Sequence, residues 1–245
     1  MITSLLTKSR PHVLKGMHRW LASTDSAVQQ IGWEICVRRI FPKKSPALFC
    51  LVNAFSVVEA HRNGQHMVAL WEADWLIPDG VVVAKMLRSQ RTAGADLMLS
   101  AARNPMLAKC RHTLLGGFGV AYRAAIRQFQ EVDCTFVQPP FVPSLPTDSS
   151  LIAMANAIPC DVLWLSLGCP IQESWALEHR SSLSAKVVIP VGAAFDFLAG
   201  RVRRAPRWIQ NIGMEAVYRI WADPTRWRRQ MGAAVGFVRL VARGR

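Results

Sequence analysis

The sharpest chemical feature of this sequence is a carboxylate at the end of an apolar run. In DWLIPDGVVVAKML, Asp79 follows Pro78 and precedes Gly80. If a strand ends there, the carboxylate stands at a sheet edge beside a residue small enough to let a substrate approach, the placement of a general base. The same spacing suits an ordinary cap for the helix that follows, so both roles stay open. Further on, RTAGADLM places Arg91 and Asp96 on either side of Gly94. An arginine there can hold a diphosphate and an acid can orient a sugar hydroxyl, with a surface ion pair and a helix cap as the plainer alternative. The turn LLGGFGVA sets Gly116, Gly117 and Gly119 between a strand and a helix, where backbone N–H groups can cradle an anion. In GCPIQESW, Gln172 can read a nucleobase or diphosphate edge, and Glu173 reads as a favourable acid in the first turn of a helix.

Other chemistries lack their signatures. The glycine turn is not GxGxxG and has no acid at ribose-binding distance, so a nicotinamide oxidoreductase is a secondary alternative. No serine stands in a GxSxG elbow, and no Cys/His pairing suggests covalent catalysis. The cysteines at 36, 50, 110, 134, 160 and 169 form no CxxC, and the histidines at 12, 18, 61, 66, 112 and 179 show no ligand spacing. The cysteines read as small buried hydrophobes and most histidines as solvent-facing or satisfied. Neither a metal nor a cofactor is expected.

These residues need a scaffold, and one grammar recurs along the chain. In HTLLGGFGVAYRAAIRQF (112–129), DVLWLSLGCPIQESWALEH (161–179) and KVVIPVGAAFDFLAG (186–200), an apolar run leads through small residues into helical periodicity. ALFCLVNAFSVVEAHR (47–62) repeats it. Strands apolar at every position are covered on both faces, which predicts an α/β fold: a Rossmann-like, mostly parallel sheet between helices. The proline-rich stretch 136–149 suits neither a central strand nor a helix interior and reads as a surface connection between two halves of the sheet. Asp74 is expected at a solvated helix end. Residues 1–200 form the expected catalytic domain, and 201–245 a basic helical appendage rich in Arg and Trp. Within the appendage, Asp223–Pro224 marks a helix start that sets Arg226 and Arg229 on one face.

The chain carries a formal charge of +14 and 51% apolar residues, which calls for a folded core and an anionic partner. The charge is unevenly spread. Residues 1–44 are +6, residues 45–200 are −1 and residues 201–245 are +9. Basic ends on a near-neutral body suit docking to an anionic membrane surface better than nucleic-acid binding, the other alternative. The longest apolar stretch, Val187 to Phe195, is about half of the ~20 residues a spanning helix needs. The N-terminus lacks the apolar region of a secretory signal. Together these predict a peripheral protein on the cytoplasmic face of the inner membrane, without a transmembrane helix.

Read in order, NAF (Asn53), ADWLIPDG, RTAGADL, LLGG, LSLGCPIQE, VGAAFDFLAGRVRRAPRWIQ, GMEAVYRI and DPTRWRR resemble the WecG/TagA/CpsF family of glycosyltransferases, glycosyltransferase family twenty-six, over roughly residues 13–235. The resemblance implies inverting, metal-independent transfer from a UDP-sugar donor to a polyprenyl-diphosphate-linked sugar acceptor. It implies Asp79 as base and Arg91 as a catalytic arginine. Asn53, Gly80, Asp96, Gly116, Gly117, Gln172, Gly192 and Asp196 would line the substrates, and Arg219, Arg226 and Arg229 would face the leaving group and lipid diphosphate. Three positions depart from the family pattern. Leu51 stands where Thr is common, Ile171 where Lys is common and Ala193 where a second glycine is usual. These changes bear on which sugar fits, and family members use N-acetylmannosamine, its uronic acid or glucose.

Overall fold

The computed structural model describes residues 20–117, 129, 132–139 and 148–200, with 206, 218, 232, 235–240 and 242. The first helix, α1 (Thr24–Ile40), begins with a capping box in which Ser23 and Ser26 satisfy each other's backbone N–H groups. Its buried residues Ala27, Val28, Ile31 and Ile35 recur at helical spacing. The chain then alternates strands and helices: β1 (Ala47–Val52), α2 (Ala54–Arg62), α3 (Gly64–Glu72), β2 (Trp75–Pro78), α4 (Val81–Met86) and α5 (Gly94–Arg103). The second half runs β3 (His112–Gly116), β4 (Cys134–Val137), α6 (Asp148–Asn156), β5 (Val162–Ser166), α7 (Ile171–Glu178), β6 (Val187–Pro190) and α8 (Ala194–Leu198).

The six strands form one sheet in the order β2-β1-β6-β5-β3-β4, with every pairing parallel. Burial follows position. Strands β1, β3 and β6 are buried at every residue, whereas edge strand β4 is half-exposed throughout. Alternate side chains of each strand feed two cores. Phe49, Leu114, Trp164 and Ile189 join α1 and α5 residues on one face, while Leu48, Leu115, Leu163 and Val188 meet α6 and α7 residues on the other. The α/β, Rossmann-like reading of the sequence is the observed architecture.

Several local readings change. The prolines of 136–149 begin just after β4, an edge strand where a lost ladder N–H is tolerated, and the connection leads to α6 rather than between two half-sheets. Asp74 is not simply solvated: it accepts the Leu48 N–H at 2.8 Å and pairs with Arg180. His66 is buried rather than solvent-facing, whereas His112 is buried and satisfied, one of the two placements expected. His112 donates through Nε2 to the Leu107 carbonyl at 2.8 Å and accepts the Trp164 indole N–H on Nδ1 at 3.0 Å. Those two bonds fix one neutral tautomer, and burial lowers its pKa. Three cysteines, Cys50, Cys110 and Cys160, are buried as expected, and Cys36, Cys134 and Cys169 are half-buried. No described helix is long and apolar enough to cross a membrane.

Candidate active site

In a parallel sheet all strands end on the same edge, and the polar motifs collect there. β1 and β2 are in register with Val52 opposite Pro78, so the next residues, Asn53 and Asp79, emerge side by side. Asn53 is the N-cap of α2: its Oδ1 accepts the Ser56 N–H at 3.1 Å, while Ser56 Oγ accepts the Asn53 N–H at 2.8 Å. With Oδ1 held by the helix, the amide nitrogen points outward and donates to Asp79 Oδ2 at 3.2 Å. The Asp79 backbone is pinned as well, its N–H donating to Val52 O at 2.8 Å. Asp79 directly precedes Gly80, the N-cap of α4.

The Arg91 segment lies against the same strand end. Thr92 N–H donates to Pro78 O at 2.9 Å, which places Arg91 beside the residues that carry Asp79. Asp96 lies in the first turn of α5, three residues after its N-cap Ala93. The N-terminus of α5 packs against the end of β6: a Cβ placed on Gly94 would stand 3.1 Å from Val191 O and 3.3 Å from Leu51 Cδ2. Leu51 therefore serves as core, buried under α5.

The ends of β5 and β6 are tied together by Gln172. Its Oε1 accepts the Gly168 N–H at 3.2 Å and the Gly192 N–H at 3.1 Å, and its Nε2 donates to Glu173 Oε1 at 2.7 Å. Ser166 Oγ donates to Gly192 O at 2.6 Å, so Gly192 is held at both its N–H and its carbonyl. Gln172 is 3% exposed, and its amide is occupied with building the two loops rather than displayed on the surface. Asp196 sits in the first turn of α8, next along the chain, half-buried.

Gly116 and Gly117 end β3. Gly116 has φ +113°, and a Cβ there would lie 2.4 Å from Ser166 O, so close approach of β3 to β5 requires glycine. Gly117 N–H donates to Ser166 O at 3.2 Å, which gives that donor a strand partner rather than an anion. Past these strand ends the chain leaves in opposite directions, from β3 outward to β4 and from β5 inward to β6. Ligand crevices in open α/β sheets form at such a divergence. Gly119, Arg219, Arg226, Arg229 and the helix start at Asp223–Pro224 lie outside the described residues. A cleft of about 290 Å³ lined by Lys43, Lys44, Ser45 and Lys186 lies at the opposite, amino-terminal edge of the sheet and contains none of these residues.

One cluster was not legible in the sequence. His66 of α3, Cys169 and Glu173 of α7 bring one ligand-type atom each within 4.8 Å of one another. Glu173 lies in the first turn of α7 as expected and is 2% exposed, and burial pushes its carboxyl up to about 7 against the opposing bond from Gln172. With His66 103 residues from Cys169, no spacing motif links them. The only signal was an acid in the first turn of a helix whose preceding loop must be buried.

These features define a Rossmann-like α/β protein with its polar side chains gathered on the carboxyl edge of the sheet. The family model described as "Glycosyl transferase WecG/TagA/CpsF family" matches residues 23–245, and the chain belongs to that family. It is 28% identical over 184 residues to an N-acetylglucosaminyldiphosphoundecaprenol N-acetyl-beta-D-mannosaminyltransferase of Bacillus spizizenii, covering 71% of this chain and 70% of the relative. To the protein of the same name from Bacillus subtilis it is 26% identical over 197 residues, 77% of each chain.

Proposed function

We propose that this chain is an inverting glycosyltransferase that moves a hexose or N-acetylhexosamine from a UDP-sugar to a polyprenyl-diphosphate-linked sugar in bacterial cell-surface polysaccharide synthesis. The names of the two Bacillus relatives make N-acetylglucosaminyl-diphosphoundecaprenol the first acceptor to test and N-acetylmannosamine the first sugar to transfer. The observation that carries the reading is the Asn53–Asp79 bond of 3.2 Å across two adjacent strand ends. It holds a carboxylate oriented by a rigid helix cap, as a general base requires.

In this mechanism Asp79 takes the proton of the acceptor hydroxyl as its oxygen attacks the anomeric carbon. The bond from that carbon to UDP breaks on the opposite face, and its electron pair leaves with the β-phosphate. Arg91, with Arg219, Arg226 and Arg229, neutralises the growing phosphate charge in place of a metal, each donor contributing on the order of 10²-fold to 10³-fold in rate. Gln172 and Gly192 shape the donor side of the pocket, Gln172 by fixing the β5 and β6 loops. Residues 1–200 act as the catalytic body, and the Arg-rich 201–245 segment docks on the anionic inner leaflet and completes the site. The Gly117 N–H is taken up by Ser166 O rather than left for an anion, which speaks against a dinucleotide oxidoreductase.

The test is UDP release with synthetic lipid-diphosphate N-acetylglucosamine, screening UDP-linked N-acetylmannosamine, its uronic acid and glucose by product mass. Transfer of at least one donor, reduced by about 10²-fold to 10⁴-fold in Asp79→Asn, is expected. Turnover in that variant within a few-fold of wild type would refute the base assignment.

A further inference from the structure

We propose that His66, Cys169 and Glu173 form a structural zinc site that clamps α3 to the turn before α7. The argument is independent of the transfer reaction and starts from two buried atoms. His66 Nδ1 and Glu173 Oε2 face each other across 3.8 Å, too far for a hydrogen bond, and neither makes a hydrogen bond within the described structure. His66 is 0% exposed and Glu173 is 2% exposed, so water does not readily satisfy either. Buried polar atoms left in this way are costly, and a bound ion is one of the few explanations that satisfies both. Cys169 Sγ, 3.7 Å from the ring's other nitrogen, Nε2, supplies the third ligand type, and one ligand atom from each of the three residues lies within 4.8 Å of the others.

The dimensions suit zinc. Three atoms no more than 4.8 Å apart have a common centre within roughly 2.8 Å of each, and zinc bonds of about 2.0–2.3 Å then need inward shifts of about half an ångström. The chemistry suits it too: imidazole, thiolate and carboxylate are a mixed nitrogen, sulfur and oxygen set that hard cations such as Mg²⁺ do not select. A thiolate and a carboxylate cancel the charge of Zn²⁺, so a neutral unit replaces groups that are costly to bury separately. The outer partner is present as well, because Gln172 Nε2 donates to Glu173 Oε1 at 2.7 Å and orients that carboxylate. Cys169 is the half-buried member, so a fourth position for water would open on its side. The same Gln172 holds the Gly168 and Gly192 N–H groups, so the ion would stiffen the base of both loops without touching the reacting atoms.

The full-length protein, stripped with chelator and titrated with Zn²⁺ alone, is expected to bind about one equivalent by elemental analysis. Cobalt substitution is expected to give a near-ultraviolet thiolate-to-Co²⁺ charge-transfer band. Cys169→Ser and His66→Gln should lose at least about nine-tenths of the bound zinc and no longer gain thermal stability from it, while Cys36→Ser keeps both. Wild-type protein that shows no saturable zinc binding, or cobalt protein without the thiolate band, overturns the proposal without recourse to any variant. A folded Cys169→Ser protein that retains a full equivalent of zinc overturns it equally.

Discussion

Replacing Asn53 with serine separates two tasks that one side chain performs. Asn53 caps α2 through Oδ1 and holds Asp79 through Nδ2. Serine caps a helix about as well as asparagine, so the first task survives, while its short hydroxyl cannot also reach the carboxylate. A hydrogen bond to a charged group contributes about 1.5–3 kcal/mol, and each 1.4 kcal/mol is a factor of ten. If that bond orients the base, Asn53→Ser should lower kcat/KM by roughly 10-fold to 100-fold and cost in unfolding no more than the lost bond, up to about 1.5–3 kcal/mol. Asn53→Ala, which also loses the cap, should cost about 1 kcal/mol more in unfolding.

The assay is steady-state UDP release together with urea unfolding for the two variants and for each combined with Asp79→Asn. Once the carboxylate is an amide, there is no charged base left to orient. Asn53→Ser should then have little further effect on rate, a strongly non-additive cycle. Wild-type rates in Asn53→Ser, or losses that simply multiply with those of Asp79→Asn, would refute the claim that the pair works as a unit.

Three other outcomes follow from the geometry. Gln172→Leu leaves the Gly168 and Gly192 N–H groups without their acceptor, at about 1–3 kcal/mol each, and should lower Tm and raise the donor KM. Asp161 is buried, which alone would raise its pKa, but Lys186, the Arg111 N–H and Arg39 outweigh burial and hold it at about 2, below its ordinary 3.8. A depressed folded pKa stabilises above the unfolded value and loses that contribution as pH falls from about 4 to about 2; it amounts to about 2 kcal/mol. The stability gap between wild type and Asp161→Asn, followed by denaturant titration, should therefore close across that acid window. Deleting residues 201–245 should release the protein from anionic vesicles in a flotation assay and abolish transfer while the α/β body still unfolds cooperatively; a truncated chain that still transfers sugar would remove Arg219, Arg226 and Arg229 from the mechanism.

The parts of the fold legible in the sequence are those where burial leaves a local trace. ALFCLV, the LLG of HTLLG, and VVIP are apolar without alternation because both faces are covered, and each lies in a buried strand. Asn53 and Asp79 were legible as strand-end polar residues, yet their contact was not, since it depends on the register of β1 with β2. Gln172 was legible as a polar residue in a strand-to-helix turn, but only the packed structure shows its amide bound to two loops. His66 was read as an unremarkable histidine because its partners come from α7 and the turn before it, which no period along the chain reveals. The same limit applies to Asp161, whose three partners come from α1, the Arg111 segment and the turn before β6.

The charge layout and the packing bear on one another. The body from 45 to 200 is −1 and the segment from 201 to 245 is +9, so attraction to an anionic surface acts mainly on the C-terminal segment, with help from the +6 of residues 1–44. Described residues of that segment are not remote from the body. Phe237 is buried, and a Cβ on Gly236 would stand 3.0 Å from Val58 Cγ1 and 3.8 Å from Arg62 Nη2, both on α2. The N-cap of that same helix is Asn53, which holds Asp79. On the proposed reading, order imposed on the basic segment reaches the helix whose N-cap holds the proposed base. If the basic segment docks on a membrane as proposed, a lipid-linked acceptor arrives at the same surface, and the packing of Gly236 on α2 would place membrane contact and base orientation on one mechanical element.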